Sequence, residues 1–155
     1  MLKRTIPLRI SFAAALLFAG LQLFAQSAPA GIAAEADPSG FIGMKLEEMF
    51  ARFGAPQMVY TARGEESWQD DVVFVYGAGD FYVCRDRVWQ IGLKSVYGIK
   101  TGDAKAVALL VLGETTKDEG SYLLYNIAGQ GWPLALRVNL EAGKVSAMYV
   151  YRPGY

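Results

Sequence analysis

One amphipathic helix is predicted by the stretch Gly43-Met44-Lys45-Leu46-Glu47-Glu48-Met49-Phe50-Ala51-Arg52-Phe53-Gly54-Ala55-Pro56. Its apolar side chains recur at the i, i+3, i+4 and i+7 spacing that places them on one side of a helix: Leu46, Met49, Phe50 and Phe53. Gly54 is expected to end the helix, because glycine tolerates the left-handed conformation of a helix C-terminus. Pro56 then prevents the helix from resuming.

The same frame returns in the stretch Gly102-Asp103-Ala104-Lys105-Ala106-Val107-Ala108-Leu109-Leu110-Val111-Leu112-Gly113. Both stretches step eleven residues from the opening to the closing glycine, from 43 to 54 and from 102 to 113. We interpret the pair as an internal repeat. The second helix is apolar around most of its circumference, which predicts burial on more than one side, against the other repeat, a second copy or a partner. A strand over residues 107–112 is the alternative that periodicity leaves open.

Strand-forming segments follow each helix. β-branched and aromatic runs separated by turn residues lie at 72–76, 81–84 and 88–93 in the first repeat and at 121–127, 134–140 and 145–151 in the second. A small sheet with one apolar face needs a helix to cover that face. The predicted fold class is therefore α+β: two tandem helix-plus-three-strand repeats, at about 41–97 and 98–155, that form one curved antiparallel sheet with both helices on one face.

The first thirty residues have the pattern of a secretory signal peptide. Lys3, Arg4 and Arg9 flank an apolar run, residues 10–24, that is short for a membrane span. Cleavage after Ala25 or after Ala30 fits the small-residue rule, and an uncleaved N-terminal anchor is the alternative. No cysteine stands where the mature chain would begin and where a bacterial lipoprotein is acylated. We expect a periplasmic or secreted protein that is not membrane-embedded after cleavage, with a flexible leader at 31–40 and a single domain at 41–155.

Charge and composition exclude several function classes. Removing residues 1–30 takes away three of the 15 basic residues and none of the 15 acidic ones, which leaves a net charge of 12 − 15 = −3. No basic stripe remains, so nucleic acid is not expected as a partner. The chain has no histidine, the commonest general base and metal ligand. We therefore predict no catalytic residues, no metal site, no cofactor and no enzymatic activity.

The adjacent acidic pair and the single cysteine are both predicted to have no chemical role. Asp70 and Asp71 are adjacent in an extended segment and point to opposite sides, so we predict a solvated loop rather than a catalytic pair. Cys84 is the single cysteine and is predicted to be a small buried hydrophobe within the second strand of the first repeat.

The chain resembles a known superfamily at the ends of its helices and at its last turn. The first motif consists of Gly43, Phe53, Gly54 and Pro56, and the second of Gly102, Asp103, Leu112, Gly113, Gly143, Lys144 and Val145. These residues resemble the SmpA/OmlA and β-lactamase-inhibitor-protein-like superfamily, in its tandem form, over nearly all of the mature chain. Lys45 and Ala104 stand where the superfamily often has a Ser or Thr cap, and Glu114-Thr115 replaces a proline. The resemblance implies a non-enzymatic envelope protein that binds another protein through an exposed sheet.

Strand alternation predicts which residues lie on the sheet face away from the helices. Counting outward from the turn at 141–144 places Arg137, Asn139 and Met148 on that face. Transferring this count to the first repeat, with Val88 equivalent to Val145, adds Trp89 and Ile91. Hydrophobicity predicts the opposite for the first repeat, so either the two repeats differ in register or the first exposes an apolar strip. A core position for Trp89 is the alternative.

Two further tryptophans lie in predicted loops, Trp68 beside an acidic pair and Trp132 in a glycine-rich link. Each either anchors a partner or folds back to close the edge of the core. The predicted partner-binding residues are therefore Trp68, Trp89, Ile91, Trp132, Arg137, Asn139 and Met148. The predicted partner is another envelope or secreted protein, with a homodimer left open. The alternative function is a carrier or sensor of a small apolar or envelope-derived ligand held between the repeats.

Overall fold

A computed structural model describes residues 37–64, 70–129 and 131–154. Within these ranges the helices are a 3-10 helix at Pro38–Phe41, α1 at Leu46–Phe53 and α2 at Lys105–Leu112. The strands are β1 Met58–Ala62, β2 Asp71–Tyr76, β3 Gly79–Cys84, β4 Arg87–Leu93, β5 Ser95–Val96, β6 Ile99–Lys100, β7 Lys117–Asp118, β8 Tyr122–Ile127, β9 Leu134–Glu141 and β10 Lys144–Tyr151. Neither α-helix is long enough to cross a membrane, and no other described helix is.

Eight of these strands form one antiparallel sheet in the order β1-β2-β3-β4-β10-β9-β8-β7, and β5 pairs with β6 in a separate hairpin. The two halves of the chain meet at the β4–β10 pair in the middle of the sheet. The predicted fold class is therefore wrong. Each helix is followed by four strands of a predominantly β structure, and the sheet has eight strands rather than six.

The two strands that the predicted six-stranded sheet leaves out are the outer ones. Every residue of β1 except Ala62 is exposed, and both residues of β7 are exposed. Strand prediction depends on an apolar side chain at every second position, and an edge strand with both faces in solvent carries no such alternation. The β5–β6 hairpin was missed for a similar reason, because two-residue strands are too short to show a period.

Both helices are tied to the sheet by the same backbone hydrogen bonds. In the first half the Gly43 amide donates to the Val88 carbonyl at 2.7 Å, and the Val88 amide donates to Met44 at 3.0 Å. In the second half Gly102 donates to Val145 at 2.8 Å, and Val145 donates to Asp103 at 2.8 Å. Gly43 and Gly102 have φ values of 89° and 93°, a conformation that only glycine adopts at low cost. The equivalence of Val88 and Val145 is confirmed.

The core lies between the helices and one face of the sheet. Phe53 of α1 is buried, and its ring centroid lies 5.5 Å from Phe41, 5.5 Å from Tyr76 and 5.1 Å from Phe81. The Tyr76 hydroxyl donates a 3.1 Å hydrogen bond to the Gly54 carbonyl, which satisfies a backbone group at the helix end. This aromatic cluster fixes α1 on the sheet.

Helix α2 does not have the burial expected from its sequence. Only Ala108 is buried, whereas Val107, Leu110 and Val111 are exposed, Leu110 to 85 %. Among the described elements, α2 packs against β10 of the large sheet and β6 of the hairpin, and much of its remaining surface is exposed. Cys84 is also half-buried rather than buried as predicted.

A β-bulge in each central strand decides which side chains enter the core. In β4, Val88 and Gln90 oppose consecutive residues of β3, so Trp89 is the inserted residue. In β10, Val145 and Ala147 oppose consecutive residues of β9, so Ser146 is inserted. Each insertion reverses the alternation, since it moves every later side chain to the other face.

The bulges explain two wrong placements. Ile91 and Met148 were predicted on the exposed face, but both are fully buried, three residues after the buried Val88 and Val145. The two halves therefore have the same register. In β4, strict alternation from Val88 predicted an exposed Ile91 and hydrophobicity predicted a buried one, and the inserted residue is the reason that they disagreed. The predicted exposure of Arg137 is confirmed, because β9 lies on the regular side of its bulge.

Substitution of Phe53 by Asp should prevent folding. A buried carboxylate without a partner costs several kcal/mol, which is comparable with the total stability of a small domain. Ala51→Asp introduces the same charge at an exposed position of α1 and should cost about 1 kcal/mol or less. Urea denaturation followed by circular dichroism measures both, and a cooperatively folding Phe53→Asp protein would contradict the assigned inner face of α1.

Deletion of Ser146 tests the bulge in β10. Without the inserted residue, Val145 and Met148 cannot both face the core, so at least one buried side chain is lost at a cost of roughly 2–5 kcal/mol. The matched substitution Ser146→Ala keeps the bulge and should change the free energy of unfolding by less than about 0.5 kcal/mol. Equal stabilities of the deletion and the Ser146→Ala variant would show that the insertion does not set the register.

Candidate functional site

The face of the large sheet that points away from the helices is rich in aromatic side chains. We call it the open face and define it by Tyr60, Val73, Tyr82, Trp89, Gln90, Tyr122, Arg137, Asn139, Tyr149 and Tyr151. The ladder places them together: Tyr60, Val73, Tyr82, Gln90 and Tyr151 follow one another across five neighbouring strands. Arg137 opposes Tyr149, and Asn139 opposes Tyr122.

A groove of about 430 Å³ runs over the middle of the open face. It is lined by Trp89, Gln90, Arg137, Asn139, Tyr149 and Tyr151. Three of the predicted partner-binding residues, Trp89, Arg137 and Asn139, therefore lie around one groove. They come from β4 and β9, which lie on either side of β10, so the groove joins the two halves of the chain.

Trp89 is held in place by a hydrogen bond to another strand of the sheet and is only partly exposed. It is half-buried, and its indole Nε1 donates a 2.9 Å hydrogen bond to Oδ1 of Asp71, which is only 9 % exposed. Burial raises the pKa of Asp71; the hydrogen bond from Trp89 lowers it, and repulsion from Asp70 raises it further. Trp89 is thus held in one orientation with part of its ring accessible.

Arg137 is an exposed cation whose position is fixed by two neighbours. Its Nε donates a 2.8 Å hydrogen bond to Oδ1 of Asn139, and its guanidinium carbon lies 4.2 Å from the centre of the Tyr122 ring. Stacking on the aromatic ring and the amide contact reduce the rotamer entropy that binding would otherwise remove. A guanidinium held in this way is suited to bind a carboxylate or a backbone carbonyl.

The tyrosines beside the groove contact one another. The rings of Tyr82 and Tyr149 meet edge to face with centroids 6.3 Å apart. The Tyr149 ring also lies over Gly92 of the neighbouring strand, where an added Cβ would lie 3.4 Å from it. Burial raises the pKa of Tyr82, and its hydrogen bond with Tyr60 does the same, so Tyr82 keeps its proton at neutral pH.

The remaining predicted residues do not lie at this groove. Trp132 packs against the core, beside Gly43 and with the Arg152 guanidinium 5.0 Å from its ring centre, as the edge-closing alternative describes. Ile91 and Met148 are buried beneath the sheet. Trp68 lies outside the described residues.

Sequence reasoning missed the tyrosines of the groove. Tyr149 directly follows Met148, so the count that placed Met148 on the open face placed Tyr149 on the helix side, whereas Tyr149 lies on the open face. The signal that could have revealed it is the pair Tyr149 and Tyr151, two residues apart and alternating with the buried Met148 and Val150. Asp71 was missed as the Trp89 partner, because the two residues are 18 positions apart.

A second cavity, of about 440 Å³, lies on the helix side near the C-terminal end of α2. Its apolar and polar lining includes Asp37, Tyr97, Val111, Leu112, Tyr125 and Leu136. Burial raises the pKa of the Tyr125 hydroxyl, and a hydrogen bond with Thr115 lowers it. Because the Tyr97 hydroxyl donates to Asp37 at 2.8 Å, one wall of this cavity is built by the start of the described chain.

The adjacent pair Asp70 and Asp71 makes structural contacts. Asp71 accepts the hydrogen bond from Trp89, and Asp70 accepts one from Arg63 at 3.2 Å. In the part of the chain that the structure describes, no group of three or more His, Cys, Asp or Glu side chains could hold a metal ion.

Comparison with known proteins identifies a similar fold. No protein-family model and no curated protein matches the chain. An extracellular SCP-domain protein of Bacillus anthracis superposes with a TM-score of 0.50 at 10 % identity, over 76 % of this chain and 46 % of its own. A cysteine-rich secretory protein of Staphylococcus aureus gives a TM-score of 0.48 at 13 % identity, over 81 % of this chain and 48 % of its own. The chain thus spans less than half the length of either, and at these identities the likeness concerns the fold alone.

Asp71→Asn should stabilise the protein more at high pH than at low pH. Because the pKa of Asp71 is raised above 3.8 on folding, the folded chain binds this proton more tightly than the unfolded chain. The carboxyl therefore favours folding most below pH 3.8, and that contribution is lost as pH rises through the folded pKa. The asparagine oxygen can still accept from Trp89 but has no charge to bury. Urea denaturation of both proteins at about pH 3 and about pH 7 measures the difference, and a constant difference would contradict the prediction.

Proposed function

We propose that the protein is a non-enzymatic module of the cell envelope or the extracellular space that binds another protein on its open face. The observation that carries the proposal is the groove in which Trp89, Tyr149 and Tyr151 surround a positioned Arg137. Tryptophan, tyrosine and arginine dominate the binding energy of protein interfaces. Aromatic rings supply large apolar area, and their polar atoms supply directional hydrogen bonds.

The contacts that hold the side chains of the groove favour tight binding of a partner. Trp89 is held by Asp71, Arg137 by Asn139 and Tyr122, so these anchors lose little freedom when a partner docks. The absence of histidine from the sequence removes the commonest general base. The partner that suits this surface carries a carboxylate or exposed carbonyl for Arg137, bordered by apolar groups for the aromatic rings.

The proposed location rests on the N-terminal sequence. The basic start, the apolar run at 10–24 and the small residues before position 31 favour export through a cleaved signal peptide. The relationship to the SmpA/OmlA and β-lactamase-inhibitor-protein-like superfamily is part of the same proposal and rests on the glycine-framed helix motifs.

Arg137→Ala should weaken partner binding by about 2 kcal/mol, or roughly 30-fold, without loss of stability. Arg52→Ala is the matched control, because Arg52 also stacks on an aromatic ring, Phe41 at 4.6 Å, but on the helix side. The exported protein, immobilised, captures its partner from envelope extract and culture medium. The dissociation constant of the purified pair is then measured by biolayer interferometry for wild type and both variants.

Equal losses in Arg52→Ala and Arg137→Ala would exclude the open face as the binding surface. A second candidate function, a carrier of a small apolar molecule, is favoured by the volume of the helix-side cavity and by the apolar side chains in its lining, Val111, Leu112 and Leu136. That function would be supported if no protein were captured and native mass spectrometry of the purified chain showed a retained small molecule. The two candidates therefore give different outcomes in the same preparation.

A further inference from the structure

The two outer edges of the eight-stranded sheet are built differently. At one edge, β1 has the sequence Met58-Val59-Tyr60-Thr61-Ala62, five residues without charge or proline. Met58 is 60 % exposed, Val59 51 % and Tyr60 41 %, and none of the described strands pairs with the outer side of β1. The backbone groups on that side are available for a further strand.

The opposite edge, β7, has the usual protection. It is two residues long, Lys117 and Asp118, and its side chains form ion pairs: Asp118 with Lys105 at 2.6 Å and Lys117 with Glu119 at 2.7 Å. Short length and charge prevent the addition of a strand. Since both edges belong to one sheet, the contrast makes β1 the end at which the sheet can grow.

We propose that β1 pairs antiparallel with β1 of a second copy of this chain, which joins two sheets edge to edge. Only one register overlaps all five residues, and it places Tyr60 opposite Tyr60. In that register Val59 faces Thr61 and Met58 faces Ala62 of the second copy. Even-numbered residues pair with even-numbered ones and odd-numbered residues with odd-numbered ones. Each side chain therefore lies opposite one on the same face of the sheet.

The electrostatics of this register favour a second copy as the occupant. Within β1 no charged side chain meets another, and just beyond it Arg63 meets the neutral Gln57 of the second copy. Arg63 keeps its contact with Asp70 at 3.2 Å, so no like charges are brought together. Pairing also covers part of the exposed apolar surface of β1 itself, at Met58, Val59 and Tyr60.

The two-fold axis of this pairing is perpendicular to the sheet. Both open faces therefore lie on the same side of a continuous sheet. The dimer presents two copies of the Trp89 groove in one direction, and a partner with two binding sites gains from their shared geometry.

Sedimentation velocity of the purified exported protein over a range of concentrations tests the pairing. We expect a monomer–dimer equilibrium in the wild type and at least a tenfold weaker one in Val59→Lys. Leu110→Lys is the matched control, because it places the same charge on an equally apolar but distant surface of α2 and should leave the equilibrium unchanged.

Cysteine cross-linking tests the register, with each variant made in a Cys84→Ser chain. Tyr60→Cys should form a disulfide-linked dimer under mild oxidation, because the two residues face each other. Met58→Cys should not, because the two copies of residue 58 lie four residues apart along the strands, about 13 Å. Equally efficient cross-linking at both positions overturns the proposal.

Two other outcomes overturn it as well. A protein that stays monomeric at all concentrations shows that β1 is left unpaired or is covered by something other than a second copy. A dimer that is broken by Leu110→Lys and kept by Val59→Lys assigns the interface to α2. Since the measurement needs no partner protein, it is independent of the proposed open-face function.

Discussion

The insertion of one extra residue in each central strand is the constraint on which the rest of the structure depends. A regular strand would bury Val88 and Gln90 together, but the bulge at Trp89 buries Val88 and Ile91. The bulge in β10 does the same for Val145 and Met148. These four residues lie in the middle of the sheet where the two halves meet, so the core beneath both helices is continuous only because both strands change face at matching places. The same change places Gln90 and Tyr149 on the opposite side, where they line the groove beside Trp89. Core and candidate site are two consequences of one backbone feature.

The two halves share a backbone plan but distribute polarity in opposite ways. Helix α1 presents Glu47, Glu48 and Arg52 to solvent, whereas the corresponding positions of α2 carry Ala106, Val107 and Val111. At the sheet edges the first half is the apolar one: its edge strand β1 is uncharged, whereas β7 of the second half is charged and ion-paired. A fold needs only the inner faces of these elements to be apolar, so the hydrogen bonds at Gly43 and Gly102 can be equivalent while the surfaces differ. The fold therefore does not require the apolar side chains that α2 and β1 expose.

Local patterns in the sequence predicted local structure well. The glycine-framed stretch gave the position of α1, and the turn at 141–144 gave the hairpin of β9 and β10. Arg137 and Asn139 were placed correctly because β9 alternates regularly up to that turn. The wrong predictions concern features that depend on residues far apart in the sequence. A bulge has no sequence signature at Trp89 or Ser146, and it depends on which partner strand lies alongside. The outer strands lacked alternation, and the exposure of α2 depends on what else the chain packs against it. Four strands per half, and hence the fold class, could not be counted from periodicity.

The hydrogen bond between Trp89 and Asp71 shows how the open face can be ordered without being closed. A carboxyl at 9 % exposure is disfavoured when ionised, yet the charge-assisted bond to the indole offsets part of that cost. Asp71 lies on β2 and Trp89 on the bulge of β4, so the contact reaches over β3 and fixes the ring against the sheet. On the other side of the groove, Arg137 is fixed by Asn139 and Tyr122. Each anchor is thus restrained by neighbours within its own half, while the groove between them crosses the junction of the halves. The β4–β10 pairing therefore sets the distance between Trp89 and Arg137, two side chains that are each already held in place within their own half.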